Sequence, residues 1–357
     1  MLSQDKKIFE EGNVRRRMIS YGSIFTELHI IVFGTGLRQE AVLAPNVTVT
    51  GAGGRDKASA FFSGTREALT AGRQMNADII SAQDPFFIGA AGVWVAKRLN
   101  IPLQIQLHTD CFSFAFAFAS VRNAIETFLA FFIIQQSSCI RVVSERVARS
   151  VKRFTKEAVS VLPILSPIST DETPSGRPEA FHGNYTVLSV SRLTKEKRVH
   201  LLIEAIARVP DVDLVIVGEG PMRKMLARRA KKLRVEDRVR FVGWQDDLAP
   251  YYAHADLFVA VSRYEGYGLS MVEAAQHGLP IIATDVGIVG EVFRPQDDVL
   301  VVQPNRKSIA DALFKIVRDR DLAETLSAHA KERAMAHIIG NDVYLARYKE
   351  SMHTCTI

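Results

Sequence analysis

The sequence predicts an α/β protein made of two doubly wound, parallel-sheet domains, and three observations carry that expectation. From Thr186 onward, short apolar runs rich in β-branched residues alternate with stretches of helical period, the pattern of a parallel sheet covered on both faces. A chain of 357 residues is long for one such domain and comfortable for two. The stretch 167–184, PISTDETPSGRPEAFHGN, is rich in Pro, Ser, Thr and Gly and poor in apolar residues, so it reads as the boundary.

In the C-terminal half the elements follow in order. Thr186–Leu193 reads as a strand, Val199–Val209 as an amphipathic helix, Val212–Val217 as a strand, and Pro221–Leu233 as a helix with proline at its first position. Val239–Val242 is a short strand, Leu248–His254 a helix and Leu257–Val261 a strand. Leu269–Gln276 is a helix closed by Gly278, and Pro280–Thr284 is the next strand. The N-terminal half alternates less cleanly: Leu28–Phe33, Ile79–Ser81 and Leu103–Leu107 look like strands, and Gly89–Leu99 like a helix. The tail, Val343–Met352, is helical in pattern and too short to be a domain.

Composition narrows the function classes. A hydrophobic fraction of 47% supports sizeable cores, so disorder is not the default. Three scattered cysteines, Cys111, Cys139 and Cys355, do not make a disulfide framework, and a reducing, cytosolic setting fits them. The net charge of +6 is concentrated at Arg15–Arg17 and between Arg223 and Arg240. The second cluster reads as a solvated helix face. It lacks the interleaved aromatics that nucleic-acid binding wants, which leaves an anionic membrane surface or substrate as the partner. No apolar leader opens the chain, and the apolar run 112–134 is broken by Arg122, Asn123 and Glu126, so no membrane span is expected. Phe112, Phe114, Phe116 and Phe118 read first as helix residues packing in pairs four apart. A membrane-touching patch that receives a lipid-linked acceptor is the sharper reading.

The chemistry-bearing motifs lie after strands. Glu265-Gly-Tyr-Gly-Leu-Ser-Met-Val-Glu273 makes a strand, a glycine-rich turn and a helix start. Gly266 and Gly268 let backbone approach a phosphate, and free amides at the helix N-terminus point at it. One of the two carboxylates faces a sugar while the other reaches a ribose. Ser191-Arg192-Leu-Thr-Lys-Glu-Lys197 follows the first strand of this half. There Arg192 and Lys197 project into the same crevice and neutralise charge on a departing diphosphate, or else form a solvated basic turn. Gly218-Glu-Gly220-Pro is a weaker signal of the same kind, equally readable as a tight turn into a proline-started helix. Gly287-Ile-Val-Gly-Glu291 closes the crevice. Asp211-Val-Asp213 has the spacing of a metal-binding pair but precedes a strand, so it reads as a solvent-facing turn.

The order SRLxxEK, VGEGP, FVGW, EGYGLSMVEAAQHGLPIIATDVG resembles the donor domain of retaining glycosyltransferase family 4, over about Thr186 to Gln303. The resemblance implies a GT-B fold: two Rossmann-like doubly wound domains facing across a cleft, with a C-terminal helix crossing back to the first. It places an acceptor-side domain at 1–168, a linker at 169–184, a nucleotide-sugar domain at 185–335 and the crossover helix at 336–357. It implies that Arg192 and Lys197 hold the donor diphosphate and that Glu265 contacts the donor sugar. Glu273 would bind the ribose, with Gly218, Gly220, Gly266, Tyr267, Gly268 and Leu269 lining the nucleotide. His108, in Leu107-His-Thr-Asp110, takes the role of a histidine reaching the donor sugar. Asp84 and Asp110 are acceptor-side candidates, though either residue type also caps helices.

The activity so implied is transfer, with retention, of a sugar from a nucleoside diphosphate sugar to a hydroxyl of a glycan or lipid-linked glycan. No cofactor and no metal are expected, the setting being cell-envelope polysaccharide synthesis in the cytoplasm or on the inner membrane face. A sugar-nucleotide epimerase on the same fold and a non-catalytic GT-B-like binding protein are the competing readings. A phosphorylase lacks its cofactor-lysine motif here. A Rossmann oxidoreductase would need a third glycine after Gly51-Ala-Gly53-Gly54. Two departures from the family stand out. Only Met1-Leu2-Ser3 precedes a polar run, so the first strand looks clipped and the sheet short of an element. Ile288 stands where relatives carry glycine.

Overall fold

A computed structural model describes residues 1–165, 176–182 and 185–355. The chain forms two compact units, one of residues 1–165 with 339–357 and one of residues 166–338. Of the linker expected at 169–184, residues 169–175 and 183–184 lie outside the described residues.

In the first unit the elements run β1 (Leu2–Ser3), a 3-10 turn (Lys6–Phe9), α1 (Asn13–Gly22), β2 (Leu28–Thr35), β3 (Glu40–Ala44), β4 (Val47–Gly54), α2 (Lys57–Gln74) and β5 (Ile80–Ala82). Then come α3 (Phe87–Leu99), β6 (Leu103–Leu107), α4 (Phe114–Ala117), α5 (Val121–Ile134), β7 (Cys139–Val142), α6 (Glu145–Val151) and β8 (Ala158–Val161). The sheet order is β3-β4-β2-β1-β5-β6-β7-β8, parallel except for the β3–β4 hairpin. The sheet therefore keeps the element expected to be lost: β1 is two residues long, yet it pairs with Ile31 and Val32 on one side and Ala82 on the other. A cavity of about 610 Å³ lies at the N-terminal ends of these strands, lined by Met1, Leu28, His29, Ile79 and Ile80 among others. It is on the edge of the sheet opposite the strand ends where ligands of such folds bind.

The apolar run 112–134 divides into α4 and α5, each started by a serine cap, Ser113 and Ser120. Of the two expected four-apart pairs, Phe114 with Phe118 forms and Phe112 with Phe116 does not. Phe116 is buried and stacks on Phe86, Phe112 packs on Phe154, and Phe114 and Phe118 stack on each other in solvent.

The tail belongs to this unit. Its helix, Asn341–His353, sends Tyr344, Leu345, Tyr348 and Met352 into a core with Ile30, Val32 and Val49. Polar ties fix it there: Gln104 donates to the Ser351 carbonyl (2.9 Å) and Gln106 to the Tyr348 hydroxyl (3.0 Å). The buried Arg141 guanidinium donates to the Tyr344 hydroxyl (2.7 Å) and Gln106 (2.9 Å) and lies over the Tyr348 ring. Cys139 and Cys355, which spacing alone did not relate, form a disulfide at a Cα–Cα distance of 4.8 Å; Cys111 is free and buried.

The second unit contains β9 (Tyr185–Val190), a 3-10 turn (Lys195–Lys197), α7 (Val199–Ile206), β10 (Val212–Val217), α8 (Arg223–Lys232), β11 (Val239–Gly243) and α9 (Ala249–His254). It continues with β12 (Leu257–Ala260), α10 (Leu269–Gln276), β13 (Ile281–Ala283), β14 (Leu300–Val301), α11 (Arg306–Arg318) and α12 (Arg320–Ala336). Its sheet, β11-β10-β9-β12-β13-β14, is parallel throughout. β10 is buried along its whole length, as a central strand covered on both faces must be.

Two expectations are corrected here. Pro221 stands in the turn ahead of α8, which begins at Arg223. Asp213 is buried within β10 and is not part of a solvent-facing turn; only Asp211 is exposed. Part of the basic cluster is also structural, since the Arg238 guanidinium donates to the carbonyls of Val209, Val212 and Ile206. Among the described residues no helix is long and apolar enough to cross a membrane.

Candidate active site

The second sheet grows outward in both directions from β9: β10 and β11 on one side, β12, β13 and β14 on the other. The strand order therefore reverses between β9 and β12, and the loops leaving their carboxyl ends flank the crevice where such sheets bind ligands. Those loops are Ser191–Lys197 and Ser262–Gly268. They are tied together by the Arg263 amide, which donates to the Glu196 carbonyl (2.7 Å), and by an ion pair between Lys197 and Glu265. Ser262 adds a hydrogen bond from its hydroxyl to Glu265 Oε1 (2.7 Å). Glu265 is thus held by a cation and a hydroxyl in front of α10, whose N-cap is Gly268.

Arg192 is exposed in the same loop, its guanidinium without a protein partner among the described residues. An exposed arginine in the loop whose Lys197 is tied to the turn ahead of α10 makes a candidate anion-binding corner.

The other predicted loops pack around this corner. The Ser191 amide donates to Val217 (3.0 Å) and the Leu193 amide to Glu219 (2.8 Å), so the Gly218–Gly220 turn is zipped along the Arg192 loop. A Cβ on Gly218 would lie 2.0 Å from the Ser191 carbonyl oxygen. Close backbone packing is the structural reason for that glycine, a role the motif alone did not reveal. Gly287 and Ile288 fold against the glutamate turn, the Ile288 amide donating to the Tyr267 carbonyl (2.9 Å), while the Ile288 and Tyr267 side chains are buried.

Glu273 lies one turn into α10 and is 4% exposed. The Tyr252 hydroxyl donates to its Oε2 (2.8 Å), and the His277 ring stacks on Tyr252. Burial, only partly offset by the Tyr252 hydrogen bond, pushes the Glu273 carboxyl up to about 7. Sequence reasoning missed Tyr252, because nothing local links a tyrosine on α9 to a glutamate on α10. Ser262 was legible as the end of its strand but not as a partner of Glu265.

The raised carboxyl has a measurable consequence. The ordinary value is 4.5, so between that pH and about 7 the folded chain keeps a proton that the unfolded chain has lost. Stability is therefore fully present at low pH and falls as pH rises through this window, by up to about 3 kcal/mol. Glu273→Gln removes the titration. Urea unfolding at pH 5 and pH 8 should show the variant gaining on the parent at the higher pH. An equal difference at both pH values contradicts the assignment.

In the first unit the candidates follow β5 and β6. Asp84 Oδ1 accepts from the amides of Phe86 (2.8 Å) and Ile88 (3.3 Å), which is capping of α3, and burial raises its pKa despite these bonds. Asp110 is buried, accepts from the Ser150 hydroxyl (3.1 Å), keeps Oδ1 without a partner and is likewise raised by burial. The His108 side chain reaches solvent. Desolvation by the surrounding protein, then the charges of Arg141 and Arg17, hold its pKa down to about 3, so it is a neutral imidazole at pH 7.

The sequence suggested no ligand cluster for a divalent ion; the structure brings Asp297, Asp298 and His329 within 4.8 Å of one another. That cluster precedes β14, at the sheet edge away from the site. Asp298 is already engaged there by the Arg294 amide (2.7 Å) and by Arg333 (3.5 Å).

Comparison with known proteins agrees with the fold. The family model "Glycosyl transferases group 1" matches residues 172–333, and "Glycosyltransferase Family 4" matches residues 26–164. The alpha-monoglucosyldiacylglycerol synthase of Streptococcus pneumoniae is 28% identical over 62% of this chain and 55% of its own. The lipopolysaccharide core biosynthesis glycosyltransferase LpsE of Rhizobium meliloti is 35% identical over 45% of this chain and 46% of its own. The chain thus spans about half the length of these curated relatives. Among solved structures, sucrose-phosphate synthase from Thermosynechococcus elongatus aligns with a TM-score of 0.78 at 20% identity, covering 94% of this chain and 91% of that one. Anabaena HepE in complex with UDP and glucose aligns with a TM-score of 0.78 at 19% identity, covering 99% of each chain. The fold is that of the GT-B enzymes, and the chain belongs to the group 1 glycosyl transferases of glycosyltransferase family 4.

Proposed function

We propose that the protein is a retaining glycosyltransferase that moves a sugar from a nucleoside diphosphate sugar to a hydroxyl of a glycan or lipid-linked glycan. The observation that carries this reading is the anion corner at the reversal of strand order, where Lys197 pairs with Glu265 ahead of α10 and the exposed Arg192 stands in the loop that ends at Lys197. In the reaction the bond between the anomeric carbon and the diphosphate oxygen breaks, and the acceptor oxygen bonds to that carbon on the same face. The acceptor's proton passes to the departing phosphate. Arg192, Lys197 and the α10 amides meet the charge that builds on the diphosphate, a role that needs no metal. Glu273 takes the ribose hydroxyls, Glu265 the sugar, and the neutral His108 suits hydrogen bonding to a sugar hydroxyl rather than acid catalysis.

UDP is the first nucleotide to test, because it occupies the HepE structure. Two relatives are named for a glucosyldiacylglycerol and for lipopolysaccharide core, which supports a lipid-linked acceptor and a cell-envelope role at the cytoplasmic membrane face. Calorimetry with UDP, GDP and ADP, and with CMP as a monophosphate control, tests the reading. One diphosphate should bind, and Glu273→Ala should weaken it at least about tenfold, or roughly 1.4 kcal/mol. A folded chain that binds none of them would end the proposal.

A further inference from the structure

We infer that the outward face of α4 and α5 is a docking surface that lies in the interface of an anionic lipid membrane. The inference deepens the peripheral-membrane reading above and rests on it for its purpose. The surface itself is independent of the donor site.

α5 is apolar on two sides. Ala130, Ile133 and Ile134 are buried against the unit, whereas Val121, Ile125, Phe128, Leu129 and Phe132 are exposed, from 40% at Leu129 to 79% at Val121. The exposed positions are spaced i, i+4, i+7, i+8 and i+11, one continuous helical stripe. Just ahead of it, the stacked pair Phe114 and Phe118 stands out at 81% and 73% exposure. Single exposed apolar residues are ordinary, but a five-residue stripe with an exposed aromatic pair just ahead of it is not. Fourteen residues make a helix of about 21 Å, too short to span a bilayer and suited to lying in its surface.

Charge selects the occupant. Phe154 contacts both Phe112 and Phe131, so the exposed Arg149, Lys152, Arg153 and Lys156 around it border the stripe. On α3 the exposed Lys97 reaches Gln136 beyond the end of α5, and Arg98 lies over the half-exposed Trp94. Along this border the exposed acids are Glu145 and Glu157. An apolar stripe beside a basic rim and an indole matches acyl chains, anionic headgroups and the interfacial zone together. A second copy of the same face would set two basic rims against each other.

The test is flotation of the full chain with vesicles of phosphatidylcholine alone and with about a third phosphatidylglycerol, alongside diphosphate-nucleotide calorimetry and a measurement of mass in solution. Wild type should float with the anionic vesicles and lose most binding at 0.5 M salt. Ile125→Gln with Phe128→Gln and Phe132→Gln should cut flotation at least tenfold. Lys152→Glu with Arg153→Glu and Lys156→Glu should do the same. Both variants should keep the parent's thermal transition and nucleotide affinity. Unchanged flotation in the variants, or no flotation of a folded wild type, overturns the inference. A wild-type dimer that the glutamine variant dissolves assigns the face to a second copy and overturns it as well. Loss of nucleotide binding with flotation intact would instead count against the proposed enzyme function and leave this surface standing.

Discussion

Lys197→Ala and Arg192→Ala should each lower kcat/KM for sugar transfer by about 10²–10³-fold, or roughly 3–4 kcal/mol of lost transition-state stabilisation. In the folded chain Lys197 is paired with Glu265, so its removal takes away a cation and also leaves a carboxylate, still bound by Ser262, without its counter-charge. Arg192 has no such partner, and its loss removes charge without exposing any. The two variants therefore differ in kind. Lys197→Ala should raise KM for the donor as well as lower kcat, whereas Arg192→Ala should act mainly on kcat. Lys224→Ala, exposed on α8, is the control and should leave both constants alone. Steady-state kinetics with a matched donor and acceptor decide the matter; activity within threefold of the parent in either site variant contradicts the anion corner.

Gly218→Ala should be among the most damaging single-methyl changes in the molecule. Gly218 has a φ of 130°, and the added carbon would lie 2.0 Å from a backbone oxygen of Ser191. Backbone cannot rotate aside as a side chain can, so the Ser191 loop must move or the turn must refold, at a cost of about 3 kcal/mol or more. Arg192 is the next residue, and nucleotide affinity should fall along with stability. Gly36→Ala offers the contrast: its φ is 68°, but nothing lies within 4 Å, so it should cost only about 1 kcal/mol. Urea unfolding with nucleotide calorimetry compares them. Equal stability losses in the two variants would mean that close approach at Ser191 is not what requires the glycine.

Much of the second unit was legible in the chain. β10 and α10 have the bounds expected from their apolar runs and flanking glycines, the other elements expected up to Thr284 differ by a few residues at their ends, and β14, α11 and α12 were not read from the sequence. The site was legible for the same reason: in a parallel sheet every strand ends on the same edge, so motifs that follow strands must gather there. The first unit was harder to read. Its β1 is too short to show a pattern, and the β3–β4 hairpin interrupts the alternation. The run of phenylalanines was half legible: Phe114 and Phe118 stack as their spacing predicts, but Phe112 lies ahead of α4, because four-residue spacing says which residues can share a helix face and not where the helix begins.

The sequence by itself determined the class of fold and the order of elements from Thr186 to Thr284, and it marked candidate site residues after the strands, since hydrophobic period and turn residues act over a few positions. Only the tertiary structure decided which strands adjoin, that Tyr252 holds Glu273, that the tail completes the core of the first unit, and that one side of α5 stays uncovered. Each of these joins residues far apart in the chain. What selects them is the burial of surfaces against one another, and no local pattern records which surfaces meet.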